Sequence, residues 1–207
     1  MRLILVRHGQ SEANASGIVQ GRLDFGLSQL GLAQARLTAS RLEQEAIDRI
    51  LTSPLRRAAD TARVIAEVKG LAVQPEPALM EYDVGAVSGL TSAEIRERYP
   101  DVVSAFAYGR RPAFPGEEGR DAFAARLAGI LANIAESDET VVAVAHGGVV
   151  SALCHMTVGL DLNRPGMFNV ANCSLTEIIR DAAGRHVLCR HNDTCHLDGL
   201  VTVIDRG

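Results

Sequence analysis

The chain has 207 residues, 47% of them hydrophobic, with a formal net charge of −4. That length suits one domain with a sizeable core, and the acidic balance speaks against a general nucleic-acid binder. No apolar run reaches the roughly 18 residues of a membrane span. Neither nucleic acid nor membrane is therefore an expected partner, and with no room for a signal peptide the expected location is cytoplasmic.

The first element is an apolar strand over residues 2–6, of the kind buried in a parallel sheet, and it stops abruptly at Arg7-His8-Gly9. Ser28 caps a helix over residues 29–44. A second strand at 47–52 leads into a helix over 55–69, which Gly70 stops. Residues 72–74 make a short strand. A helix over 91–99 starts at a Thr91 or Ser92 cap and ends at Pro100. Residues 106–120, with two prolines, three glycines and three arginines, read as a long loop. A helix over 119–136 and a strand at 141–145 follow, and that strand runs into His146-Gly147-Gly148 and another helix from Val149. Residues 173–180 and 186–190 read as a hairpin turning at Asp181 to Gly184.

Strands alternating with helices imply an α/β fold: a three-layer sandwich whose mostly parallel central sheet is covered by helices on both faces. The last hairpin adds antiparallel pairing. The whole chain, 1–207, reads as a single domain, with residues 80–120 a small cap-like insertion. The cysteines at 154, 173, 189 and 195 read as free buried thiols, not as the disulfide framework of a small secreted chain.

Two strands thus end in histidine-glycine, and ligands of open α/β sheets bind beyond the carboxyl ends of the strands. Two imidazoles beside Arg7 repel one another if charged, and a bound dianion relieves that repulsion. A third strand exit, Ser53-Pro-Leu-Arg-Arg-Ala, opens a helix. Arg56 and Arg57 in its first turn oppose the helix dipole, which points to an anion as the compensating partner of at least one of them. Cys189, His191, Cys195 and His196 offer soft ligands within eight residues. Their spacing is not that of a zinc ribbon or finger, and no metal is expected there.

At these segments the chain resembles the histidine phosphatase superfamily, in the branch similar to phosphoglycerate mutase. Arg7-His8-Gly9 matches its opening, Asn14 its phosphate-contacting asparagine, and Gln20-Gly21, Asp24, Leu27-Ser28 and Gly31 the pattern that follows. The segment around Ser53 aligns so that Arg57, not Arg56, is the second phosphate arginine. Leu79-Met-Glu81-Tyr-Asp-Val-Gly85 resembles the segment carrying the acid, and Pro115-Gly-Glu-Glu118 a loop ending in glycine-glutamate-serine, although Gly119 stands in the serine's place. Ala145-His146-Gly147-Gly148 matches the second histidine and Asn172-Cys-Ser174 the start of a late strand. The resemblance reaches a tail at Asn192 to Leu197 and spans nearly the whole chain.

The resemblance implies covalent catalysis with no cofactor and no metal. His8 is the nucleophile, Arg7, Arg57 and His146 hold the phosphoryl oxygens, Asn14 adds a neutral donor, and Glu81 is acid and then base. Substrate contacts are expected from Gln20, Gly21, Gly147 and Glu118, with walls including Phe25, Tyr82 and Phe114. Arg110 and Arg111 are expected to meet a second anionic group. Lack of tryptophan and short length lean toward a phosphatase of small phosphorylated metabolites, monomeric or homodimeric, over mutase-type phosphotransfer. A non-catalytic phospho-ligand binding module is the remaining alternative, and the intact set of site residues counts against it.

Overall fold

The computed structural model describes residues 1–107, 113–162 and 167–201. Its strands are β1 (Arg2–Arg7), β2 (Arg49–Thr52), β3 (Val73–Pro75), β4 (Thr140–Ala145), β5 (Leu175–Arg180) and β6 (His186–Asp193). They form one sheet in the order β3-β2-β4-β1-β5-β6. The pairs β2–β3, β2–β4 and β1–β4 are parallel, and β1–β5 and β5–β6 antiparallel.

Helices cover both faces because alternate side chains of a strand point to opposite sides. Ile4, Val6, Val142 and Val144 pack against Ala39 and Leu42 of one helix and Ala58, Ala62 and Ile65 of another. Leu3, Leu5, Val141, Ala143 and Ala145 face Phe123, Leu127, Ile130 and Ile134, with Val149, Val150 and Leu153. In chain order the helices are α1 (Glu12–Ala15), α2 (Gln29–Leu42), α3 (Arg56–Lys69), α4 (Ser92–Arg98), α5 (Pro100–Ala107), α6 (Arg120–Ala135) and α7 (Gly147–Val158). Thus α2 and α3 line one face, and α6 and α7 the other. None of the described helices is long and apolar enough to cross a membrane.

The departures from the sequence reading have local causes. Pro100 ends α4 but also opens α5, as suits a residue with no N–H to leave unpaired at a first helical position. The first two residues of the stretch read as a loop, 106 and 107, therefore belong to α5, and residues 108–112 lie outside the described residues. Of the two candidate caps for α4, Thr91 takes the role: its hydroxyl accepts the Glu94 N–H (3.3 Å) and Glu94 reaches back to the Thr91 N–H (2.8 Å). Cys173 lies outside its expected strand because its φ of 56° turns the chain away from extended geometry, and β5 starts at Leu175. All four cysteines are free, but Cys189 and Cys195 are exposed, which corrects the expectation of burial for these two. Cys189 sits on the edge strand β6, where one face has no covering layer.

Candidate active site

β1 and β4 pair in register with Arg7 opposite Ala145, so the residues that follow them, His8 and His146, leave the sheet side by side. The His8 backbone is fixed on both sides. Its N–H donates to the Ala145 carbonyl (2.9 Å), and its carbonyl accepts from the Asn172 side-chain amide (2.9 Å). The Gly9 N–H donates to the Thr61 hydroxyl (3.0 Å) on α3. A Cβ at residue 9 would lie 2.5 Å from the Gly31 carbonyl oxygen, so only glycine lets this turn pass the first turn of α2.

His8 Nδ1 lies 2.7 Å from the Gly9 carbonyl oxygen. A carbonyl only accepts, so Nδ1 carries the proton and Nε2 presents a lone pair. The ring is 3% exposed. Burial, then the charges of Arg7 and Arg57, hold its pKa well below the ordinary histidine value.

Arg57 enters from the first turn of α3 and is 1% exposed. It donates through Nη2 to the Gly21 carbonyl (2.8 Å), through Nη1 to the Leu23 carbonyl (2.7 Å) and through Nε to His146 Nδ1 (3.2 Å). That last bond leaves the His146 proton on Nε2, which donates to the Ser53 hydroxyl (2.8 Å). His146 is fully buried. Burial, then His8, Arg57 and Arg7, push its pKa well below the ordinary value. The two rings sit 5.2 Å apart, edge to face. Arg7 donates through Nη1 to the Val170 carbonyl (2.5 Å), and its buried Nε has no partner among the described residues. Burial pushes the Arg7 guanidinium down to about 10 and lowers that of Arg57 as well. Two retained cations and two neutral imidazoles therefore share one water-poor recess, an arrangement that a phosphate dianion would stabilise.

Glu81 lies between two short 3-10 turns, Pro77–Leu79 and Gly85–Val87. Its carboxylate accepts the N–H of Tyr82 (2.8 Å) and of Gly148 (3.0 Å) in the first turn of α7. A Cβ at residue 148 would come 3.1 Å from the Glu81 carboxyl carbon, and one at residue 147 would come 3.6 Å from Arg7 Nε. Gly148 thus lets the acid reach the helix start, whereas a side chain at residue 147 would meet Arg7 only at ordinary contact distance. Glu81 also acts electrostatically on both Arg7 and Arg57.

The family model of the histidine phosphatase superfamily (branch 1) matches residues 3–194. The chain belongs to that superfamily. It is 36% identical over 200 residues to phosphoserine phosphatase 1 of Hydrogenobacter thermophilus, covering 95% of this chain and 94% of that protein. It is 34% identical over 185 residues to a probable phosphoglycerate mutase of Photorhabdus laumondii, covering 86% and 84%. A solved structure of mycobacterial glucosyl-3-phosphoglycerate phosphatase with VO3 superposes with a TM-score of 0.85 at 34% identity, covering 93% and 99%. The chain is a histidine phosphatase, an enzyme acting on phosphomonoesters.

In this histidine phosphatase, Arg56 is exposed and its N–H is capped by Asp24 (2.7 Å), whereas Arg57 turns into the recess. Asn14 closes a capping box with Ser11 on α1, and its Oδ1 accepts from Asn172 (3.4 Å), which leaves its NH2 for an anion. Gln20 Oε1 is taken by the Ser11 hydroxyl (2.9 Å), so its NH2 is likewise the group left to donate. Gly21 (φ 50°) turns its carbonyl onto Arg57. Tyr82 is buried against Phe123, ring centroids 5.1 Å apart. Glu118 is engaged by Arg126 and Arg22. Arg110 and Arg111 lie outside the described residues. Ser53, Thr61, Asn172, Arg22 and Arg126 had no assigned role in the sequence reading, and only the polar character of Ser53, Thr61 and Asn172 amid apolar neighbours signals them. Of the tail group, Asp193, Cys195 and His196 bring ligand atoms within 4.8 Å of one another. Cys195 is exposed there, and the Asp193 carboxylate is already shared by the Cys195 N–H and Arg190.

The depressed histidines make a prediction about stability. Below about pH 6.5 unfolded histidines take up protons while His8 and His146 stay neutral in the fold, so stability falls as pH falls and is unaffected above that value. The slope is up to about 1.4 kcal/mol per pH unit for each ring. Urea unfolding midpoints from pH 7.5 to 5 measure it, and added inorganic phosphate is expected to flatten the slope by favouring the protonated rings.

Proposed function

We propose that this phosphatase acts on small phosphomonoesters through a phosphohistidine on His8, without a metal ion. The observation that carries the reading is the bond from His8 Nδ1 to the Gly9 carbonyl, which leaves the Nε2 lone pair free beside two buried guanidiniums. In the first step Nε2 forms a bond to phosphorus as the P–O bond to the leaving group breaks. The electron pair stays on that oxygen, which takes the proton of the Glu81 carboxylic acid. In the second step the Glu81 carboxylate takes a proton from water, the water oxygen bonds to phosphorus, and the N–P pair returns to Nε2. Arg7 and Arg57 hold the non-bridging oxygens, where charge develops, and Asn14 adds a neutral donor. His146, held by Ser53 and Arg57, completes the recess.

Two fixed cations take the place that magnesium fills in other phosphoryl-transfer sites, and they repel a divalent ion. Backbone bonds from Ala86 to the Pro115 carbonyl (2.9 Å) and from Glu118 to the Asp83 carbonyl (3.0 Å) tie residues 83–86 to 115–118. They support residues 80–120 as a cap within one domain. A small-molecule substrate and a cytoplasmic location complete this reading. A phosphomonoester screen in EDTA tests it. Full turnover without added metal is expected, and a strict requirement for a divalent ion would overturn it. A relative named as a probable phosphoglycerate mutase supplies the second reading. Isomerisation of 3-phosphoglycerate outpacing phosphate release, with a trace of bisphosphoglycerate present, would favour that one.

A further inference from the structure

Glu81 lies in neither a helix nor a strand, yet its main chain is held from two sides. Its carbonyl accepts from Arg126 Nη2 (3.2 Å) and from Arg22 Nε (3.3 Å). Arg126 also donates to the Ala78 carbonyl (2.6 Å), so one guanidinium spans both ends of the turn that carries the acid. A single carboxylate, Glu118, orients both cations. It meets Arg126 in a bidentate pair (Nε to Oε1 2.6 Å, Nη2 to Oε2 3.0 Å) and Arg22 through Nη2 (3.0 Å). Its Oε2 also accepts the Asp83 N–H at 3.4 Å. Burial pushes the Glu118 carboxyl up, but the hydrogen bonds and charge of Arg126, with the Asp83 N–H and Arg22, outweigh it and leave it below the ordinary range. Glu118 therefore stays charged, and both of its oxygens are occupied.

We propose that Arg126, Arg22 and Glu118 are positioning residues that aim the Glu81 carboxyl, and that Glu118 is not a substrate contact. The three come from α6, the loop after α1 and the loop before α6; the two arginines converge on one carbonyl oxygen, and Glu118 holds both of them there. A misplacement of about 1 Å at a reacting group lowers rates about 100-fold, which is the scale on which such a clamp acts.

The inference rests on Glu81 being the acid of the proposed mechanism, and leaving-group chemistry separates the two. An alkyl phosphate needs a proton on its departing oxygen, whereas p-nitrophenolate leaves without one. Phosphoenzyme formation is read by rapid quench with glycerol phosphate and with p-nitrophenyl phosphate. Glu81→Gln is expected to slow the alkyl reaction about 1,000-fold and the aryl reaction only a few-fold. Arg126→Met is expected to slow the alkyl reaction about 50-fold and the aryl reaction less than about threefold, with Arg126→Lys between it and the wild type. Should Arg126→Met fail to fold, Arg22→Met, at a half-exposed position, is read for the same split. Equal slowing of both substrates, or of neither, would overturn the positioning role. Absence of the split in Glu81→Gln itself would overturn the acid assignment and this inference with it.

Discussion

His8→Ala is expected to lower turnover about 10⁵-fold, because no other group in the recess can accept the phosphoryl group. His146 is the one neighbouring imidazole, and both its nitrogens are engaged, one by Arg57 and one by Ser53. The fold is expected to survive. The ties on either side of residue 8 are made by backbone atoms to Ala145, Thr61 and Asn172, and alanine keeps all of them. Phosphate binding is expected to persist for the same reason: the two arginines proposed to hold the anion are untouched. Brief quenching of the wild type with labelled substrate is expected to trap label that is stable to base and labile to acid, as an N–P bond is, and His8→Ala is expected to trap none. Residual turnover above about one-thousandth of wild type would instead indicate direct attack by water.

The fold was legible where a local pattern repeats. The apolar runs of β1 and β4 read as buried strands, and the periodic stretches of α2, α3 and α6 read as helices, because burial imposes those periods on consecutive residues. The four-residue α1 is too short to show a period; its Ser11–Asn14 capping box holds it. The choice between Arg56 and Arg57 needed the family pattern, since composition alone treats the two alike. Burial separates them, one exposed and the other in the recess. The packing of Tyr82 on Phe123 is not legible either, because an aromatic beside an acid looks the same in sequence whatever it packs on. The Arg22–Glu118–Arg126 set is invisible to any window of sequence, since its members meet only through the tertiary fold.

Arg7→Met is expected to inactivate the enzyme about 1,000-fold and at the same time to make the unliganded protein more stable. Arg7 is 4% exposed and, among the described residues, donates to the Val170 carbonyl while its buried Nε meets no partner. Burial is the main cause that draws its pKa down to about 10, with Glu81 opposing and Arg57 adding to it. At pH 7 the group is protonated folded and unfolded, so the unfavourable term is present in full and fades only as pH rises through about 10. It amounts to about 3 kcal/mol at most, from which the Val170 bond must be subtracted. Methionine has similar length and no charge, so a net gain of about 1 kcal/mol is expected in phosphate-free urea unfolding. Arg57→Met should do the opposite. That guanidinium satisfies the Gly21 and Leu23 carbonyls and His146 Nδ1, and stripping three acceptors, two of them buried, is expected to destabilise by about 3 kcal/mol. Two arginines assigned to the same anion thus differ in what else they do. Arg57 is built into the fold, while Arg7 is held against its own desolvation, which the proposed phosphoryl contact would compensate. Inorganic phosphate should therefore raise the wild-type Tm and raise that of Arg7→Met much less. A variant destabilised by more than about 1 kcal/mol would show that Arg7 is part of the fold's own support as well.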